Sequence, residues 1–365
     1  MASISFPTFF LFLSIVLVFM LILLDNCSIT RLERKSYMQL SILDYSPIFE
    51  GRTPQEALNH SIDLARYAEK LNFHRYWLAE HHQVHSVAST APEILATMIL
   101  EQTSRIHVGA GGIMLPHYSP YKVAETFKML EARHPGRVDI ALGKSPSFQN
   151  VSQALNEGKQ TLTDFDQQLI DLTKYFNNDT STPHRFQHLK AMPIIETQPQ
   201  FCILGTSENS AERAAQLGAV FVFGAFGQKT LEKQRIVQHY RKQFQHYHPE
   251  EQPYVIVSTF VLAHEDSQIR AQLEDSLHYW LQRIHYLKQP KTLLSPETIQ
   301  QKNWSERELE KRAENEPRII SGDGETVAHK LHELQRTFDA DELLLFPQLY
   351  GEENRKHLSL IHISE

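Results

Sequence analysis

IHVGAGGIMLPHYSPYKVAETFKMLEARHPGRVDIALGK, residues Ile106 to Lys144, holds one complete strand–helix–strand unit. Ile106–Gly111 and Val138–Leu142 are short β-rich apolar runs, and Pro120 opens a helical pattern between them. Working outward, the same alternation recurs along the chain, which is the pattern of repeated βα units. Strands are expected near Leu40–Asp44, Arg75–Ala79, Ile106–Gly111, Val138–Leu142, Gln200–Leu204, Ala219–Phe223, Tyr254–Leu262 and Glu342–Phe346. Eight such strands are the number for a closed barrel, so the expected fold class is α/β, a (β/α)8 TIM barrel. Between the first two, PQEALNHSIDLARYAEKLNF carries Leu58, Ile62, Ala65 and Leu71 at helical spacing. SENSAERAAQLG opens on polar cap residues and stops at Gly218. The charged stretch Gln282–Pro317, with Pro290, Pro296 and Pro317, breaks the rhythm and reads as a helical insertion over the barrel mouth.

The two ends differ from the middle. Phe6–Leu24 is a nearly unbroken apolar run, followed by Arg31, Arg34 and Lys35. It is long enough to span a bilayer, and the flanking charges would then leave the rest of the chain in the cytoplasm. Alternatively, residues 1–37 are an extension of the gene model, because MQLSILDYSPI from Met38 already reads as a first strand. The barrel domain is placed at residues 38–356, and the tail HLSLIHISE (357–365) lacks the helix expected to close an eighth unit.

Composition narrows the function. The net charge of -7 opposes nucleic-acid binding, which calls for a basic face. Two cysteines in 365 residues make no disulfide framework and fit a reducing, cytoplasmic setting. Cys202, within FCIL, reads as a buried small hydrophobe.

In a parallel barrel the chemistry lies where the strands end. AEHHQVH puts Glu80, His81, His82 and His85 after the second strand, as acid/base or cofactor-facing groups. No matching cluster follows the other strands, so no metal is expected. Gly109, Gly111 and Gly112 would let a flat ring press against bare backbone. Lys144 follows the fourth strand, and Thr206, Ser207 and Ser210 open the helix after the fifth. Such a helix start is by default a simple cap; beside a lysine on the neighbouring strand it is also a phosphate site.

Six ordered blocks carry a resemblance: LSILDYSPI, RYWLAEHH, GAGGIMLPHYSPYKVAE, PGRVDIALGKSP, LGTSENSAERAAQLG and DELLLF. Together, over Met38 to Tyr350, they resemble the luciferase-like flavin-dependent oxidoreductases, the single-chain bacterial FMN enzymes of the bacterial luciferase superfamily. The resemblance implies that His81 is the catalytic histidine and that Gly111–Gly112 forms a non-proline cis peptide. It further implies FMN-phosphate contacts from Lys144 (where relatives carry arginine), Thr206, Ser207 and Ser210, with Asp44 among the cofactor-binding positions. The implied reaction uses reduced FMN, from a flavin reductase or NAD(P)H, and dioxygen to oxygenate a small-molecule substrate through a C4a-peroxyflavin. A homodimer is also implied. FVFGAFG (221–227) departs from relatives that carry a histidine there, which bears on substrate preference. Two other readings stand beside this one: a deazaflavin-dependent hydride-transfer oxidoreductase and a non-catalytic FMN-binding protein.

Overall fold

In the computed structural model the described residues are 38–145, 147–157, 159, 163–227, 230–284 and 289–361. The apolar run Phe6–Leu24 lies outside them, and among the described residues no helix is long and apolar enough to cross a membrane. All eight expected strands form: β1 (Gln39–Asp44), β2 (Arg75–Leu78), β3 (His107–Met114), β4 (Val138–Gly143), β5 (Gln200–Gly205), β6 (Val220–Gly224), β7 (Val255–Ala263) and, last in the chain, Glu342–Phe346. A short strand not read from the sequence, β8 (Ile319–Gly322), precedes that last one, which is therefore β9. Every pairing is parallel, and the ring runs β1 to β7, then β9, then back to β1. β8 stands outside the ring and pairs with Phe260–Ala263, beyond the β6 ladder, which ends at Ser258.

Caps in the sequence set the helices. Thr53 and Glu56 form a reciprocal capping box on Pro54–Lys70, with Pro54 in the first turn. That helix is rotated from the expected face: Leu58 and Ile62 are half-buried and Leu71 is exposed, while Ala57, His60, Ser61, Leu64, Ala65 and Ala68 are buried. Its small alanines let the backbone approach the barrel closely, and its polar pair faces a buried charge described below. The Gln282–Pro317 region carries two short helices, Pro296–Gln300 and Glu306–Asn315, as a helical insertion should. Gly218, at φ 64°, ends the helix Glu208–Gln216 in a conformation that side chains other than glycine rarely adopt.

Strand alternation decides what each side chain meets. Leu43, Trp77, Ala141, Cys202, Val220, Val222, Ile256 and Leu344 share one buried core, with Trp77 and Ile256 fully shielded. Below this layer lies a polar node. The Arg75 guanidinium reaches Glu342 through Nε at 3.0 Å, and its Nη1 lies 2.9 Å from Asp139 Oδ1 in an ion pair without hydrogen-bond alignment. Glu342 also accepts from Ser41 on β1 and from Tyr254 Oη at 2.9 Å, while Trp77 Nε1 donates to Asp139 at 2.8 Å. Burial alone would raise both carboxyls, yet Arg75 holds each below its usual range.

Asp44 falls on the opposite face from Leu43, toward the helices. Its carboxylate accepts from Ser46 N at 2.7 Å, from Tyr76 Oη at 2.6 Å and from Arg355 Nη2 at 2.5 Å. Both ions of the Asp44–Arg355 pair are fully buried. The segment after Lys356 continues as a short turn of helix, His357–Leu360, and Leu358 and Ile361 are buried.

Removing one partner of a buried pair strands the other charge. Arg355→Met should therefore cost about 3–5 kcal/mol in urea denaturation, because Asp44 loses its counter-ion. His60 lies near the same pair, and burial, followed by the charge of Arg355, lowers its pKa to about 3. Below its ordinary pKa the unfolded chain binds a proton that the folded chain refuses, so stability is lost as pH falls from about 6.5 toward 3. His60→Gln should flatten the stability–pH curve across that window in denaturation series.

Candidate active site

The ends of the strands surround a cavity of about 670 Å³, within the range of about 300–1,000 Å³ usual for small-molecule sites. His81, Gly111, Gly112, Lys144, Thr206, Ser207 and Ser210 all line it. Asp44 does not. Its neighbours Leu43 and Tyr45 do, and period-two alternation turns the carboxylate between them away, into the ion pair with Arg355. The placement of Asp44 among the cofactor-binding positions is thus corrected: its acceptor oxygens are committed to the fold. His85 is likewise outside the lining, whereas Glu80 and His82 are within it.

At one end of the cavity lies a cationic cradle. Lys144 is exposed immediately after β4, and Ser207 caps the helix Glu208–Gln216 after β5. Ser207 Oγ accepts from Ser210 N at 3.3 Å, and Ser210 Oγ donates to the Ser207 carbonyl at 2.7 Å. These hydroxyls therefore serve as a true cap, and the anion-binding capacity rests on first-turn N–H groups, which no helix can satisfy internally. Arg213 adds a second cation that the sequence reading missed. It lies three residues after Ser210, on the same helix face, which was the available signal. Asp166 holds it: Arg213 Nη2 donates at 2.8 Å, and this hydrogen bonding lowers the Asp166 carboxyl.

The wall between cradle and floor is backbone. The Gly111–Gly112 peptide is cis. A Cβ on Gly111 would fall 2.5 Å from Trp77 Cε3, and one on Gly112 would meet the Ala141 carbonyl and Leu204. Glycine is required here by the protein's own walls before any ligand arrives.

His81 faces the cavity with its ring centroid 4.4 Å from that of Tyr45, inclined at 52°. Burial pushes the Tyr45 phenol up to about 12, so it stays protonated. Beside His81, Glu80 is a fully shielded carboxylate that accepts from Tyr118 Oη at 2.8 Å and from the Met114 amide at 3.0 Å, and contacts His82 Nε2 at 2.8 Å. Burial, then Glu80, raises the Tyr118 phenol well above its ordinary value. Glu80 thus ties the turn after β2 to the end of β3 and fixes where His81 sits. Much of the remaining lining is apolar: Leu204 against the glycine wall, with Val222, Trp280, Leu344 and Phe346. Trp280 is anchored by Nε1 donating to Ser86 Oγ at 3.0 Å. A flat ring system with a phosphate arm fits this arrangement of apolar slot and cationic end.

Known proteins resemble the chain in sequence and in fold. A luciferase-like monooxygenase of Escherichia coli K12 is 33% identical over 321 residues, covering 87% of this chain and 93% of that one. The crystal structure of apo-MsnO8 superposes with a TM-score of 0.77 at 28% identity, covering 89% of this chain and 96% of the other. The oxygenating constituent of 3,6-diketocamphane monooxygenase from Pseudomonas putida, a type II Baeyer–Villiger enzyme solved with FMN, shares the fold at TM-score 0.67 and 17% identity, covering 90% and 98%. The luciferase-like monooxygenase family model matches residues 38–341, and by that match and by the closed parallel barrel with its cavity the chain belongs to the luciferase-like monooxygenase family.

Proposed function

We propose that the chain is an FMN-dependent monooxygenase that oxidises a small organic substrate with dioxygen. The observation that carries the reading is the convergence of His81, the Gly111–Gly112 wall and the Lys144–Ser207 cradle on one cavity. FMN bound in the Pseudomonas putida enzyme of the same fold supports the choice of cofactor. When bound, reduced FMN supplies the electrons that activate dioxygen. Lys144, Arg213 and the first turn of Glu208–Gln216 would hold its phosphate, while Gly111, Gly112 and Leu204 would pack its ring system. His81, fixed by Tyr45 and by its neighbour Glu80, is the imidazole placed to hold or pass a proton at the cavity face. Trp280 and Phe346 keep water from the apolar side. Reduced FMN would come from a separate flavin reductase or from NAD(P)H in a cytoplasmic setting. A homodimer accompanies this reading, and exposed Ile94, Met98 and Met129 on consecutive helices support it.

Fluorescence titration with FMN and riboflavin separates the phosphate from the ring. Lys144→Ala should weaken FMN by about tenfold, as loss of a charge-assisted contact does, and leave riboflavin unchanged. Equal losses for both would remove Lys144 from the phosphate site. Retention of a deazaflavin with no uptake of FMN would overturn the cofactor assignment. For the chemistry, His81→Ala should lower dioxygen consumption in the presence of reduced FMN and substrate by about 10²–10⁴-fold, with FMN affinity kept. If the unaltered protein consumes neither dioxygen nor NAD(P)H with any donor, it is an FMN-binding protein instead.

A further inference from the structure

Arg318 is a cation that stands beside the cavity without being one of its lining residues, and it has no part in the proposed mechanism. It ends a short helical turn, Glu316–Arg318, just before β8. Ladder register fixes its height: Ile319 pairs with Phe260, which pairs with Phe346, and Phe346 lines the cavity. Its guanidinium carbon lies 5.8 Å from the ring centroid of Phe226, another lining residue, and its charge acts on Tyr45, a third. Tyr45 and Phe226 both pack on Phe346, with ring centroids 5.8 and 5.6 Å away. Ring order sets β9, and hence this aromatic group, across the barrel from β4 and Lys144.

The guanidinium is half-buried, and among the described residues it has no counter-ion. Its Nη1 donates to Asn315 Oδ1 at 2.9 Å, and its buried Nε has no hydrogen-bond partner. Among the described residues no carboxylate forms an ion pair with it. Arg75, Arg213, Arg283 and Arg355 each contact one. A desolvated cation left unpaired is costly, and arginine does not escape by losing its proton at neutral pH. Nε is shielded, so a carboxylate would be met by the two terminal nitrogens, the end-on fork of the guanidinium.

We propose that Arg318, set against Phe226 and its aromatic neighbours at the edge of the cavity, is a carboxylate subsite, so that the substrates are small organic acids with an apolar body. The inference deepens the monooxygenase reading by assigning its substrate class, but binding alone tests it. The probes are 3-phenylpropionate and its neutral isostere 3-phenylpropionamide, titrated calorimetrically into the full chain without flavin and again with FMN. The unaltered protein should prefer the acid by about tenfold, the scale of one charge-assisted contact. Arg318→Met should erase that preference by weakening the acid alone, Arg318→Lys should restore part of it, and Lys144→Ala should leave it intact. Equal affinity for acid and amide in the unaltered protein overturns the proposal, and so does a preference that survives Arg318→Met or is lost in Lys144→Ala. Should Arg318→Met fail to fold, the unaltered acid–amide comparison and Arg318→Lys still decide. Failure of FMN to bind while the acid preference holds would sink the flavin reading and spare the subsite.

Discussion

Closing a sheet on itself leaves a narrow interior, and here its floor is held by charge. Arg75 lies between Glu342 and Asp139, so one guanidinium ties the starts of β2, β4 and β9 together. Glu342 further binds Ser41 of β1 and Tyr254 before β7. The last strand is thereby fastened to the first two strands and to the segment entering the seventh, which are the contacts a ring needs at its seam. In a water-poor interior these ions are stable only as a set, because any one removed leaves the others uncompensated. The floor fixes the register of the strands, and the register fixes the height of everything at the mouth.

Above that floor the mouth divides into ends of different chemistry. Helix start, lysine and arginine gather after β4 and β5, where a phosphate would be received. Aromatic rings gather at the end of β9, against Arg318. Between them the glycine wall and His81 face the space where a flavin ring would lie. Each end is built on a rigid element: the cap of Glu208–Gln216 is closed by its own hydroxyls, and Trp280 is pinned through Ser86. Rigid placement of this kind suits a reaction that depends on orientation and exclusion of water.

Much of this was legible along the chain. The apolar runs of all eight barrel strands, the cap at Ser207 and the stop at Gly218 are local features, decided by neighbouring residues. So was the gathering of His81, Gly111, Lys144 and Ser207, since strand ends in a parallel barrel share one face. β8 was hidden because four residues beside a charged insertion carry too little periodicity to read as a strand. Arg213 was hidden only by attention to hydroxyls, for its spacing from Ser210 already placed it on the same face.

Asp44 shows the limit most clearly. By itself the sequence determined that a carboxylate stands at the end of the first strand, because strand identity is a local property. Only the tertiary structure decided where that carboxylate points, because the alternation that sends Leu43 and Tyr45 to the cavity sends Asp44 to Arg355, 311 positions away. The same holds for Arg318. Its charge is written in the chain, but that no carboxylate among the described residues pairs with it is a fact about what folding brings near it.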